Sequence, residues 1–205
     1  MQEDTLKQFL PATESWFRKT FGEPTKIQRE AWPAIADGKH VLVSAPTGTG
    51  KTLSAFLVFI DQLGGLAERG ELKEELYVIY VSPLKSLAGD IRENLRKPLE
   101  GIGAEAPGES KAESRPGNPS IGQIQAAIRT GDTPQKERQR MVKHPPHILI
   151  ITPESLYLML TSKSGRQVLK TAKAIILDEL HALIDTKRGA HLMLSVARLD
   201  KLCGR

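Results

Sequence analysis

The sequence predicts an α/β fold with a mostly parallel central sheet and helices on both faces. Short runs of Val, Ile and Leu end in turn residues: "HVLVSAP" (40–46), "LYVIYVSP" (76–83), "IQAAIRTGD" (124–132), "HILIITPE" (147–154) and "AIILDE" (174–179). These runs are nearly continuous rather than alternating, which is how strands buried on both faces look. Helical patterns lie between them, and strand–helix alternation implies parallel strands joined by crossovers.

The elements follow in order. A helical pattern surrounds Leu6 to Lys19, with Pro11 near its middle as a breaking point, and a second runs from about Thr25 to Ala36. Trp16, Phe17 and Trp32 read as core residues of these helices. After the first strand, Leu53, Phe56, Leu57, Ile60 and Leu63 recur at 3.6-residue spacing; after the second, Leu87, Ile91 and Leu95 do. "GIGAEAPGESKAESRPGNPS" (101–120) is half Gly, Pro and Ser and reads as a long mobile loop, because it buries too little apolar surface to offset its ordering entropy. A polar helix runs from Pro134 to His144, stopped by "HPPH"; its Lys136, Arg138, Arg140 and Lys143 read as a solvated face. "PESLYLMLTS" starts another helix. Leu192, Val196, Leu199 and Cys203 share one face of the last, with Cys203 expected to be buried; Lys187 and Arg188 before it read as surface loop.

Composition narrows the class. The chain has 205 residues, 40% hydrophobic and 26% charged, as expected for one globular domain over 1–205. No apolar span has membrane length and the N-terminus has no apolar signal core, so neither a membrane nor secretion is expected; a cytoplasmic location is. Cys203 is the single cysteine, which excludes an internal disulfide. The excess of 29 Lys and Arg over 24 Asp and Glu is compatible with a polyanion partner without establishing one.

Two motifs carry chemistry. "SAPTGTGKT" (44–52) follows an expected strand and opens an amphipathic helix, the setting of a phosphate-binding loop. Pro46, Thr47, Gly48, Thr49 and Gly50 form the loop, whose glycines let backbone N–H groups turn toward an anion at a helix N-terminus. Lys51 is placed to reach β and γ phosphates and the Thr52 hydroxyl to ligate Mg²⁺. One departure is Ala45, which stands where the usual pattern has its first glycine. The second motif is Asp178–Glu179, two carboxylates ending an apolar strand at the sheet's C-terminal edge, where parallel α/β sheets place ligands. Asp178 is the natural Mg²⁺ partner and Glu179 the candidate base that orients an attacking water.

"LDELH" together with "APTGTGKT" resembles the superfamily 2 helicases and translocases. "FGEPTKIQ" (21–28) is similar to their adenine-reading Q motif, "VSPLKSLAGDI" (81–91) to motif Ia and "ITPESL" (151–156) to motif Ib. "RTGDTPQKER" (129–138) and "DTKRGAHLMLSVARLD" (185–200) most resemble the large helicase-related (Lhr) family. The resemblance implies a RecA-like, phosphate-loop ATPase fold, with the Q motif and its helices over 1–39. It implies ATP and Mg²⁺ as cofactors, Phe21, Lys26 and Gln28 on the adenine side, and His181 coupling the nucleotide site to later motifs. Pro83, Lys85, Gly131, Asp132, Thr152 and Pro153 would then lie along a nucleic-acid strand, held through its backbone phosphates.

In that family ATP lies between two RecA-like domains, and the full protein would move 3′ to 5′ on DNA and RNA–DNA hybrids. The chain has no "SAT"-like motif III after "DELH", so it reads as a first motor domain truncated before that motif, with the second domain expected C-terminal. Such a fragment would bind ATP–Mg²⁺ without unwinding. Two other readings stand beside this one: a DEAD-box or Ski2-like RNA helicase domain, or a nucleotide-gated nucleic-acid-binding module without turnover of its own.

Overall fold

The computed structural model describes residues 4–46, 50–83, 87–105 and 123–204. They fall into two compact units: Met1–Leu72 with Asn94–Ile124, and Lys73–Glu93 with Gln125–Arg205.

The first unit begins with a 3-10 turn at Thr5–Gln8, followed by helices α1 (Pro11–Phe21), α2 (Lys26–Ala36) and α3 (Lys51–Glu68). The sequence pattern does break at Pro11, which becomes the first residue of α1, where a missing N–H costs nothing. Helix α2 starts at a capping box: the Thr25 hydroxyl accepts from the Gln28 N–H while the Gln28 side chain accepts from the Thr25 N–H. Its core is aromatic. Trp32 and Phe17 are fully buried, with Phe9 and Phe17 edge-on to Trp32 at 5.0 and 5.3 Å between ring centroids. Phe56, Leu57, Ile60 and Leu63 of α3 are buried with them, as the helical spacing requires. Asp61 receives the Leu10 N–H at 2.8 Å, and burial raises its carboxyl above the usual aspartate range.

The second unit holds the sheet. Strands β1 (Val78–Val81), β2 (Ala126–Arg129), β3 (Ile148–Ile151) and β4 (Ala174–Leu177) lie in the order β2-β3-β1-β4, every pairing parallel. β1 and β3 are buried along their whole length. Helices α5 (Gln135–Lys143), α6 (Pro153–Thr161), α7 (Lys163–Leu169) and α8 (Lys187–Cys203) belong to this unit. Leu156, Met159, Leu160, Leu169, Leu192 and Leu199 pack against Ile79, Val81, Leu149 and Ile151 to form its core. Helix α4 (Leu87–Glu105) contributes residues to both units.

The structure corrects four readings. Residues 40–46 form no strand among the described residues, and Val41 and Leu42 are exposed. An apolar run marks a segment able to pair, but a strand exists only when a ladder partner is present. Residues 101–105 extend α4 instead of opening a loop, with Ile102 fully buried. The rest of the 101–120 segment lies outside the described residues. Lys187 and Arg188 form the first turn of α8, because the Thr186 hydroxyl caps the helix by accepting the Gly189 N–H at 3.0 Å. Cys203 is half-buried, its thiol directed at the Leu169 carbonyl. Among the described residues no helix is long and apolar enough to cross a membrane.

Candidate functional site

The phosphate-loop half belongs to the first unit. Gly50 adopts the left-handed conformation (φ 84°) at the N-cap of α3 and supplies no side-chain cap. Among the described residues no N-cap side chain competes for the first-turn N–H groups of α3, which stand at the positive end of the helix. Lys51 is the first helical residue, and its ammonium folds back onto the Ala45 carbonyl at 2.5 Å. Thr52 follows, half-buried. Thr47, Gly48 and Thr49 lie outside the described residues.

Gly50 is also held by space. A Cβ there would come within 2.8 Å of the Gln28 Nε2. Gln28 is buried, its Oε1 accepts the Thr25 N–H at 2.9 Å, and its amide nitrogen lies against the loop. The Q-motif glutamine and the phosphate loop are thus in contact. Phe21 is 54% exposed beside Trp16 and Phe17, an aromatic face open to a flat ligand. Lys26 is exposed and sits 3.9 Å from Glu30 one turn on.

The acidic half belongs to the second unit. β4 ends at Leu177, and the Asp178 N–H continues the parallel ladder to the Val81 carbonyl at 3.0 Å. Both Asp178 oxygens are engaged: Oδ1 accepts the Glu179 N–H at 2.9 Å and Oδ2 accepts the Tyr80 hydroxyl. With these donors alone among the described residues, each oxygen retains a lone pair. Glu179 is left-handed (φ 50°), a strained conformation for a residue with a side chain, and its carboxylate meets the His181 imidazole at 3.2 Å. An aspartate with an open lone pair on each oxygen is compatible with Mg²⁺, an ion held by one or two carboxylates plus phosphates and water.

Of the residues expected along a nucleic-acid strand, Gly131 and Asp132 form an exposed turn after β2. Pro83, Thr152 and Pro153 are buried, the Thr152 hydroxyl donating to Ser155 at 3.1 Å, so their side chains serve packing. Lys85 lies outside the described residues. The basic face of α5 is not wholly solvated: the Arg138 guanidinium donates to the Thr133 carbonyl at 2.7 Å and the Gly131 carbonyl at 2.6 Å, clasping the Gly131–Asp132 turn. Burial, with Arg138 nearby, lowers the pKa of Arg129 at the end of β2. Glu154 and Arg188 form a two-pronged pair at 2.5 and 3.1 Å, tying the start of α6 to that of α8; the hydrogen bond from Arg188 holds the Glu154 carboxyl below the usual glutamate range.

Sequence reasoning missed Tyr80, the Arg138 clasp and the Glu154–Arg188 pair. Tyr80 alone left a signal. A phenol inside the aliphatic run "LYVIYVSP" must find a hydrogen-bond partner when buried.

A glycine-opened helix led by Lys-Thr, with a parallel strand ending in paired carboxylates, defines a phosphate-loop domain of the RecA-like class. Residues 25–204 match the DEAD/DEAH box helicase family, and the chain belongs to it. The ATP-dependent helicase Lhr-Core of Methanothermobacter thermautotrophicus is 48% identical over 95% of this chain and 22% of its own length. The Lhr helicase/uracil glycosylase of Escherichia coli is 46% identical over 95% of this chain and 12% of its own. The solved structure of Mycobacterium smegmatis helicase Lhr, bound to ssDNA and AMP-PNP, matches 98% of this chain and 24% of that one at 47% identity and a TM-score of 0.84. The resemblance read from the motifs is borne out, and the chain spans about a quarter or less of these relatives.

Proposed function

We propose that this chain is the first motor domain of an ATP-dependent nucleic-acid helicase or translocase of the Lhr kind, acting in the cytoplasm. The observation that carries the reading is the loop at Gly50: a left-handed glycine opening α3, with Lys51 folded back onto the Ala45 carbonyl and Gln28 against the glycine. Lys51 binds β and γ phosphates, and the N–H groups of the first turn of α3 hold phosphate oxygens. Gln28 and Phe21 take the adenine, with Lys26 at the margin. Thr52 and Asp178 are the residues that would take part in holding Mg²⁺, which would neutralise charge on the phosphate oxygens. Glu179 orients water and accepts its proton, and His181, beside it, relays nucleotide state.

Single-stranded nucleic acid is the partner, and DNA is favoured because the 47% identical Lhr structure contains ssDNA. Contact is to the strand's backbone, through the turn at Gly131–Asp132, the start of α6 at Thr152–Pro153 and the segment of Pro83 and Lys85. A second RecA-like domain, C-terminal in the whole protein, supplies the arginines that complete the site. Without it this chain holds nucleotide but turns it over slowly, since such arginines contribute roughly 10³–10⁵ in rate.

Binding of a fluorescent ATP analogue with Mg²⁺ tests the loop. Lys51→Ala removes a charged hydrogen bond worth about 1.5–3 kcal/mol, so affinity is expected to fall roughly 10- to 100-fold. Equal affinity in the variant would remove the assignment.

A further inference from the structure

We propose that Tyr80 is a positioning residue for Asp178, its phenol fixing the carboxylate that holds Mg²⁺; this rests on the function proposed above. In the parallel pairing of β1 with β4, Tyr80 lies level with Ile176, two residues before Asp178. That offset is about 6–7 Å along a strand, which a tyrosine side chain spans. Tyr80 is 1% exposed. Its ring fills the core as a phenylalanine would, so packing gives no reason for a hydroxyl there. A buried hydroxyl is costly without a partner, and this one donates to Asp178 Oδ2.

With the Glu179 N–H on Oδ1, each carboxylate oxygen carries one donor. The plane of the carboxylate is thereby set before any ligand arrives, and one lone pair per oxygen remains. Hydrogen bonds to an ionised acceptor are the strong ones. Mg²⁺ demands near-octahedral geometry, so a carboxylate free to rotate would hold it less well. The backbone donor comes from a left-handed residue and the phenol from a buried strand, so neither is a mobile surface group.

The test is the Mg²⁺ dependence of binding of a fluorescent ADP analogue to this chain, wild type against Tyr80→Phe. Loss of such a supporting partner costs roughly 10- to 100-fold in metal affinity. Half-saturation in Mg²⁺ is therefore expected to rise at least roughly 10-fold, with Mg²⁺-free nucleotide affinity and melting temperature near wild type. An unchanged Mg²⁺ dependence overturns the role of Tyr80 and leaves the proposed function standing. A wild-type chain whose nucleotide binding ignores Mg²⁺ overturns both. Should Y80F fold poorly, the wild-type chain labelled with 3-fluorotyrosine gives a second readout. Its three tyrosine ¹⁹F resonances are assigned by elimination with Y77F and Y157F. The Tyr80 resonance is expected to shift when Mg²⁺ is added to the nucleotide-bound chain; a stationary resonance contradicts the proposal.

Discussion

Replacing Glu179 by Gln is expected to lower strand-stimulated ATP hydrolysis by about 10²–10⁴, the usual contribution of a positioned general base. The assay uses a protein carrying this chain together with a second motor domain. Gln keeps the length and shape of Glu and tolerates the left-handed backbone no worse, so the fold should not respond. The backbone N–H that Glu179 gives to Asp178 is also untouched, so nucleotide affinity should stay close to wild type. The variant removes charge and basicity from one atom group 3.2 Å from His181 and little else. Normal turnover in E179Q would move the base to another residue. Loss of nucleotide binding would mean that Glu179 acts on the ligand itself and not on water.

Gly189→Ala is expected to give the largest stability loss among the conservative changes considered. A Cβ at Gly189 would lie 2.0 Å from the Leu183 carbonyl oxygen and 2.8 Å from its carbon. These are backbone atoms and cannot rotate aside, so the first turn of α8 must move off the turn that follows the acidic pair. Two interactions sit on that turn: the Thr186 cap on the Gly189 N–H and the Arg188 pair with Glu154. Overpacking of this kind costs about 1–3 kcal/mol. For a chain of this size that corresponds to a fall in melting temperature of roughly 2–12 °C. A melting temperature equal to wild type would contradict the close approach.

The strands at 78–81 and 148–151 were legible because burial on both faces leaves an unbroken aliphatic run, and 174–177 carries the same kind of run although it is only half-buried. The acidic pair was legible for a related reason: carboxylates directly after such a run stand at the end of the sheet. Helix α3 and its lysine were legible because glycine and the helical period name a turn and its direction. The failures share one cause. Residues 40–46 have strand composition, yet composition says nothing about whether a neighbouring strand is there to pair. Arg138 looked like one of four equivalent solvated cations; only the turn folded next to it gives its guanidinium three carbonyls. Tyr80 and Asp178 are 98 residues apart in sequence, and parallel register alone brings them together. Glu154 and Arg188 meet across 34 residues, at the starts of α6 and α8.

The central claim is that this chain is the nucleotide-holding half of a motor. The most direct measurement is ATP binding and ATP hydrolysis by the 205-residue chain, with and without single-stranded DNA, beside the same chain joined to a second motor domain. The account predicts Mg²⁺-dependent binding in both, with strand-stimulated turnover in the joined protein faster by roughly 10³–10⁵. Fast, strand-stimulated hydrolysis by the chain alone, lost in Lys51→Ala, would contradict it.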